Sequence, residues 1–238
     1  MISQRTVSVA TDDGAFDLHL WTPAAGHGPA ILLLQEIFGV SAYIRAVAAR
    51  LADAGYVVGA PDVFWRFARN WEAEHDEAGL QASFAQVQKL DPQLAVADCV
   101  AALRRLGELP EAEGRPGVLG FCLGGTLAWG VAAAGDPACC VSYYGSNVSQ
   151  MLGLADQIQC PVLIHYGDND PYIPMEGIVQ VQEALRGRDG FTVNLERSGH
   201  AFDNHESAMF FDPEASRSAW AKTMAFLGQH LPLASAAS

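Results

Sequence analysis

One cysteine in this sequence stands in a setting that could support covalent catalysis. Cys122 lies in the segment Gly120-Phe121-Cys122-Leu123-Gly124-Gly125, between a predicted strand and a predicted helix. The spacing matches the nucleophile elbow G-x-Nuc-x-G, with cysteine as the nucleophile. Glycine is needed two residues before and two after it, because side chains there would collide in the sharp turn. The helix N-terminus favours a thiolate, and the Leu123 N–H is a candidate oxyanion donor. The alternative is a buried structural cysteine in a glycine-rich turn.

Two later strand ends carry groups that could assist this thiol. Asp168 and Asp170 follow a buried strand, and either carboxylate could orient a histidine while the other caps a helix or meets solvent. His200 follows the last predicted strand and could act as the general base. The order Cys, Asp, His along the chain is that of α/β-hydrolases. A metal site built from His200, Asp203 and His205 is an alternative that no further cluster supports.

A fourth strand end, Gln35-Glu36-Ile37-Phe38-Gly39, is unusual because it places a carboxylate after an apolar run. The Ile37 N–H is the candidate second oxyanion donor, since oxyanion-hole loops lie here in this class of fold. A carboxylate in an apolar setting is costly unless it is paired. We therefore predict that Glu36 is a second partner of the thiol. The alternative is a peripheral acid that reaches water.

The elements that must position these groups alternate between strand and helix from residue 30 onward. This alternation predicts an α/β fold, with a mostly parallel central sheet flanked by helices in a three-layer sandwich and catalytic groups at the carboxyl ends of the strands. Residues 1–238 are expected to form a single domain with a disordered tail at 232–238. Predicted strands cover 6–10, 16–21, 30–35, 56–60, 117–120, 141–145, 160–167 and 191–196. One predicted helix begins after Ser41, its proposed N-cap, and four others cover 92–108, 124–134, 175–186 and 213–230. Residues 64–91 are less regular.

Composition narrows the class of function. The 238 residues include 27 Asp and Glu against 14 Lys and Arg, a net charge of −13. Nucleic acid and anionic membranes are therefore unsuitable main partners, because both require a basic face. Five cysteines, two of them adjacent, indicate free thiols in a reducing compartment, and the four other than Cys122 are expected to pack as small hydrophobes. The sequence shows no signal-type segment and no apolar run near 20 residues, so we expect a cytoplasmic enzyme. We also expect it to be monomeric and to need no cofactor or metal.

Taken together, these segments resemble the dienelactone hydrolase (carboxymethylenebutenolidase) family, from about residue 6 to residue 230. The resemblance implies an α/β-hydrolase fold with Cys122 as nucleophile and His200 as base. It favours Asp170 over Asp168 as the orienting acid, because the family's acid stands three residues before Ile-Pro. It implies that Glu36 is a fourth catalytic residue that keeps the resting thiol neutral until substrate arrives. A neutral thiol resists oxidation, which would justify a costly buried carboxylate.

The chain departs from the family at the substrate carboxylate. Family members that act on dienelactone bind its carboxylate with two arginines; Arg66 resembles the first, but Asn204 stands where the second is expected. An uncharged amide cannot form a bidentate charge-assisted pair, although Arg69 could compensate. The residues expected to bind substrate are Arg66, Phe38, Trp65, Phe202 and Asn204.

The predicted reaction opens a small enol-lactone or ester through an acyl-enzyme on Cys122. A general carboxylesterase or thioesterase and a catalytically silent binding protein are the alternatives.

Overall fold

A computed structural model describes residues 1–233. The strands are β1 (Ser3–Thr11), β2 (Gly14–Thr22), β3 (Gly28–Leu34), β4 (Val57–Pro61), β5 (Ala112–Phe121), β6 (Cys140–Tyr143), β7 (Val162–Gly167) and β8 (Phe191–Glu196). The helices are α1 (Ala42–Asp53), α2 (Glu77–Val87), α3 (Pro92–Gly107), α4 (Leu123–Ala134), α5 (Met175–Leu185) and α6 (Pro213–His230), with a 3₁₀ segment at Val148–Gln157. The tail predicted to be disordered falls, for residues 234–238, outside the described residues. The single-domain assignment stays a prediction.

The strands form one eight-stranded sheet in the order β1-β2-β4-β3-β5-β6-β7-β8. β1 and β2 make the predicted antiparallel hairpin, and β2 also pairs antiparallel with β4. Every pairing from β4 through β8 is parallel. The predicted mostly parallel sheet flanked by helices is therefore confirmed. The carboxyl ends of its parallel strands meet at one edge, where the site lies.

The central strands are buried along their length, which explains their unbroken apolar sequence. All seven residues of β3 and all six of β7 are buried. Helix α1 covers β4 and buries the predicted face at Ile44, Val47, Ala48, Leu51 and Ala52. Ser41 stands at its N-cap as predicted, but its side chain makes no capping hydrogen bond, and its hydroxyl oxygen is buried without a partner.

Two other details of the helices differ from the prediction. Part of the less regular segment forms α2, which Asp76 caps by accepting a hydrogen bond from the Gly79 N–H. In α3 the sequence predicts a core face of Leu94, Ala97, Val100, Ala101 and Leu103; Val100 and Leu103 are buried, but Leu94 and Ala97 are exposed. The buried face also includes three small residues, Ala95, Cys99 and Ala102. Small side chains let α3 approach both β5 and α4 closely, and that contact sets its rotation.

No helix within residues 1–233 is long and apolar enough to cross a membrane. All five cysteines are free thiols, and three of them are fully buried. Burial raises the pKa of Cys139 to about 12 and that of Cys160 to about 11. These thiols therefore stay protonated near neutral pH, as expected of packing residues.

Candidate active site

Cys122 lies at a sharp turn between β5 and α4. Its backbone has φ +55° and ψ −113°, a strained conformation for a residue with a side chain. A Cβ on Gly120 would overlap the Gly124 carbonyl oxygen, and a Cβ on Gly124 would overlap the Leu34 carbonyl oxygen. The two glycines are therefore required by close backbone approach on both sides of the nucleophile position, as the elbow motif predicts.

A histidine and an aspartate line up behind this thiol. His200 Nε2 lies 3.2 Å from Cys122 Sγ, and His200 Nδ1 lies 2.7 Å from Asp170 Oδ2. The other oxygen of Asp170 accepts hydrogen bonds from the backbone N–H groups of Tyr172 and Ile173, at 2.8 and 3.1 Å. Asp168 is exposed. The structure thus brings Cys122, His200 and Asp170 together in the geometry of a triad and leaves Asp168 in solvent.

The charges around His200 favour its protonated form. Burial disfavours the imidazolium, but the neighbouring Cys122 and Asp170 outweigh this and raise the pKa of His200 to about 10. A histidine that is protonated beside a thiol can stabilise the thiolate as an ion pair. The arrangement therefore suits a sulfur nucleophile with a histidine base.

Glu36 is buried in the wall of the same site. Its Oε2 accepts a 2.7 Å hydrogen bond from Asn204 Nδ2, while Oε1 is buried without a partner. Burial raises the pKa of Glu36 to about 8, against the opposing effects of His200 and Asn204. The carboxyl group is therefore largely uncharged at pH 7. Its hydrogen-bond partner is Asn204, whereas Cys122 Sγ is bonded to His200, so the predicted direct pairing of Glu36 with the thiol is not seen.

Sequence analysis missed two residues beside Glu36. His75 Nδ1 accepts a 2.7 Å hydrogen bond from Asn204 Nδ2, and its ring stacks on Phe38 with centroids 4.2 Å apart. The fully buried Tyr144 lies with its ring centroid 5.1 Å from that of His200. Tyr144 directly follows β6, so its place at a strand end was a usable signal. His75 lies in a loop whose sequence shows no such signal.

A cavity of about 250 Å³ opens onto Cys122 and His200. Most of its wall is apolar, formed by Ile37, Phe38, Leu80, Phe84, Val87, Leu123, Tyr172, Ala201 and Phe210. Thr126, Ser146 and Asn147 add neutral polar groups, and Glu36 also contributes. The two predicted oxyanion donors, the Ile37 and Leu123 amides, belong to residues that line this cavity. The cavity can therefore present a carbonyl group to the thiol.

The residues expected to bind substrate are mostly placed elsewhere. Phe38 lines the cavity, but Arg66, Trp65, Phe202 and Asn204 do not. Arg66 donates to both carboxylate oxygens of Asp98, at 2.8 and 2.9 Å, and to Asp13 at 2.8 Å. Trp65 donates to the same Asp98 oxygen at 2.8 Å. Both side chains are thus bound to Asp98 in α3 and do not line the cavity, and their contact with substrate stays a prediction.

Phe202 and Asn204 are fully buried and do not line the cavity. Phe202 is fully buried and packs against the rings of Tyr143 and Tyr144, so its role in this structure is packing. Asn204 is also fully buried, and it contacts Glu36 and His75 rather than the cavity. The expectation that either one touches substrate is therefore corrected.

The geometry within residues 1–233 does not support the alternative metal site at His200, Asp203 and His205. Asp203 accepts hydrogen bonds from Tyr43 and Ser216, at 2.8 and 2.7 Å. No group of three or more His, Cys, Asp and Glu side chains in the described part of the chain is arranged to hold a metal ion. Asp203 is instead part of a buried hydrogen-bond network that supports the site.

The sheet order, the elbow after β5 and the acid and histidine after β7 and β8 define an α/β-hydrolase. Comparison with known proteins gives the same class. The family model of the dienelactone hydrolase family matches residues 16–231. A carboxymethylenebutenolidase from Pseudomonas sp. (strain P51) is 34% identical over 234 residues, covering 98% of both chains. Carboxymethylenebutenolidase 1 from Cupriavidus pinatubonensis is 30% identical, covering 95% of this chain and 97% of its own.

A solved structure from Klebsiella pneumoniae, provisionally described as a dienelactone hydrolase, superposes with a TM-score of 0.83 at 25% identity. It covers 96% of this chain and 99% of its own. The protein belongs to the dienelactone hydrolase family and is a hydrolase that acts on ester or lactone bonds. The predicted family and fold are thereby confirmed.

Proposed function

We propose that this hydrolase opens a small-molecule ester or lactone through an acyl-enzyme on Cys122. The observation that carries the proposal is the position of His200, 3.2 Å from the thiol on one side and 2.7 Å from Asp170 on the other. Asp170 holds the imidazole in one orientation through Nδ1, which leaves Nε2 facing the sulfur. The cavity gives a substrate carbonyl access to the same sulfur.

The first half of the reaction forms a thioester. The Cys122 sulfur attacks the carbonyl carbon, and the thiol proton resides on His200 Nε2. The negative oxygen of the tetrahedral intermediate accepts hydrogen bonds from the Ile37 and Leu123 amides. The bond from carbon to the leaving oxygen then breaks, and His200 returns its proton to that oxygen. In a lactone the released hydroxyl stays attached to the acyl group.

The second half restores the thiol. Water attacks the thioester carbonyl and gives a proton to His200, and the same two amides hold the oxyanion. The bond from carbon to sulfur breaks, the carboxylic acid is released, and the proton on His200 returns to Cys122 or stays paired with its thiolate. An enol is a better leaving group than an alkyl alcohol, which favours enol-lactones over simple alkyl esters.

Glu36 is proposed as the fourth residue of the site. A pKa of about 8 keeps the carboxylate form of Glu36 accessible near neutral pH, and that form disfavours a second negative charge on Cys122 in the same cavity lining. The proposed consequence is a thiol that ionises fully only when substrate is bound, and is thereby protected from oxidation. In the Glu36→Ala variant, peroxide should inactivate the enzyme faster; an unchanged rate of inactivation would exclude this protective role.

The nucleophile is tested by comparing Cys122→Ala with Cys160→Ala, which removes the other partly exposed thiol. Hydrolysis of p-nitrophenyl butyrate should fall by about 10³-fold or more in the first variant and change little in the second. Mass spectrometry of the wild type quenched during turnover should show a butyryl group on Cys122. Full activity in Cys122→Ala would refute the proposal. Failure of both the ester and iodoacetamide to react at Cys122 would favour a silent binding protein.

The cytoplasmic location and the monomeric state stay predictions.

A further inference from the structure

The cavity above Cys122 has a wall suited to an uncharged group. Leu80, Phe84 and Val87 from α2 line it together with Phe210. Among the described residues, the polar lining other than Tyr172 and the catalytic groups consists of three neutral side chains, those of Thr126, Ser146 and Asn147. A carboxylate placed against this wall would lose water without gaining a charged partner, which is strongly unfavourable.

The charges at the cavity also disfavour an anion. Within the described chain its lining includes no lysine or arginine, and the only residue that can carry positive charge is His200. That imidazolium is already matched by Asp170 on one side and by the sulfur on the other. Glu36 adds a group that becomes negative at higher pH. A substrate carboxylate would therefore meet negative rather than positive potential.

The side chains at the two positions where the family binds a carboxylate, Arg66 and Asn204, are both occupied. Arg66 is paired with Asp98 through two hydrogen bonds and with Asp13 through a third. Both acceptors of the Asn204 amide nitrogen, Glu36 and His75, lie at 2.7 Å, and its oxygen accepts from the Glu206 N–H at 3.1 Å. Neither residue is available to an anion without breaking these hydrogen bonds.

From these observations we propose that the acyl group recognised by this cavity is neutral and apolar, so the enzyme prefers esters or lactones without a carboxylate on the acyl part. The inference rests on the proposed function, because it concerns the group attached to the carbonyl that Cys122 attacks. The volume of about 250 Å³ is below the roughly 300–1,000 Å³ of pockets for drug-sized ligands, which restricts the acyl group to a small one.

The test uses three esters with one leaving group: p-nitrophenyl butyrate, p-nitrophenyl hydrogen succinate and p-nitrophenyl methyl succinate. The succinate replaces the terminal methyl of the butyrate by a carboxylate, and the methyl ester restores neutrality at larger size. Spontaneous hydrolysis is subtracted with the Cys122→Ala variant. We expect kcat/KM for the hydrogen succinate to be about 100-fold below that for butyrate, with the methyl succinate close to butyrate. Equal or faster Cys122-dependent hydrolysis of the hydrogen succinate would overturn the inference and leave the proposed function standing. Absence of turnover for all three would contradict both.

Three substitutions locate the cause of the selectivity. Phe84→Arg places a cation in the partly exposed rim of the wall and should raise the succinate-to-butyrate ratio by about tenfold or more. Phe84→Gln removes the same ring without adding charge and should raise the ratio much less than Phe84→Arg does. Arg66→Gln should also leave the ratio unchanged, because Arg66 is paired with Asp98. A fall in relative succinate hydrolysis in Arg66→Gln would show that Arg66 binds the carboxylate and would overturn the inference.

Discussion

Asn204 Nδ2 lies 2.7 Å from Glu36 Oε2, and this buried hydrogen bond joins residues 168 positions apart in the chain. The same nitrogen donates to His75 Nδ1 at 2.7 Å. One amide therefore supports the acid in the cavity wall and a histidine in the loop before α2. This pair explains how the enzyme tolerates a carboxyl group at the end of an apolar strand.

The first prediction concerns this amide. Asn204→Leu would leave Glu36 Oε2 and His75 Nδ1 buried without a donor. We expect it to lower the free energy of unfolding by about 2–4 kcal/mol, the sum of two lost buried hydrogen bonds. Urea denaturation measures the change, with Asn169→Leu on the exposed loop as the control. A loss no larger than that of the control would show that the amide does not stabilise the site.

The second prediction concerns the pH dependence of stability. The pKa of Glu36 is raised from 4.5 in the unfolded chain to about 8 in the fold. The native state then holds a proton that the unfolded state has released, so this group lowers stability progressively as pH rises from about 4.5 to 8. Glu36→Gln removes the effect.

The variant should therefore gain stability relative to the wild type between pH 5 and pH 8, by at most about 1.4 kcal/mol per pH unit. Urea denaturation at pH 5, 6, 7 and 8 gives the difference curve. The exposed Glu74→Gln serves as the control and should give a flat difference. A flat curve for Glu36→Gln as well would mean that Glu36 titrates normally in the fold.

The third prediction distinguishes the two aspartates after β7. Asp170→Asn removes the charge that orients His200 and should lower kcat by about 10³–10⁴-fold, as loss of the orienting acid does in other triads. Asp168→Asn makes the same change two residues away in solvent and should alter kcat by less than about twofold. Hydrolysis of p-nitrophenyl butyrate by both variants is the measurement. Comparable losses of kcat in the two variants would show that Asp170 is not the acid that orients His200.

The fourth prediction tests the close packing at the elbow. A Cβ at Gly124 would overlap carbonyl oxygens of β3 and the following residue, so Gly124→Ala must displace backbone. We expect destabilisation of about 3 kcal/mol or more, with loss of activity. Gly228→Ala in α6 meets open space and should stabilise by about 0.5–1 kcal/mol. Thermal unfolding of both variants shows whether the close backbone contact at Gly124, rather than the replacement of a glycine in itself, causes the loss of stability.

Much of this architecture follows from local sequence. The alternation of apolar strands with helices, the hairpin before β3 and the bounds of β8 and α6 all reflect short-range periodicity and turn residues. The elbow around Cys122 is also local, because its glycines are required by a turn of a few residues. The rotation of α3 could not be predicted in this way, since the contacts with β5 and α4 override its own apolar pattern.

The sequence by itself determined the fold class, the elbow that holds Cys122 and the strand ends that carry Asp170, His200 and Glu36. Only the tertiary structure decided what those side chains contact. Arg66 is bound to Asp98, 32 residues away, and the link from Asn204 to His75 spans 129 residues. Such pairs depend on how elements distant in the chain pack, and periodicity or motif spacing carries no information about them. The packing of distant elements thus makes the cavity wall mostly apolar and pairs Arg66, the cation expected at the substrate, with Asp98.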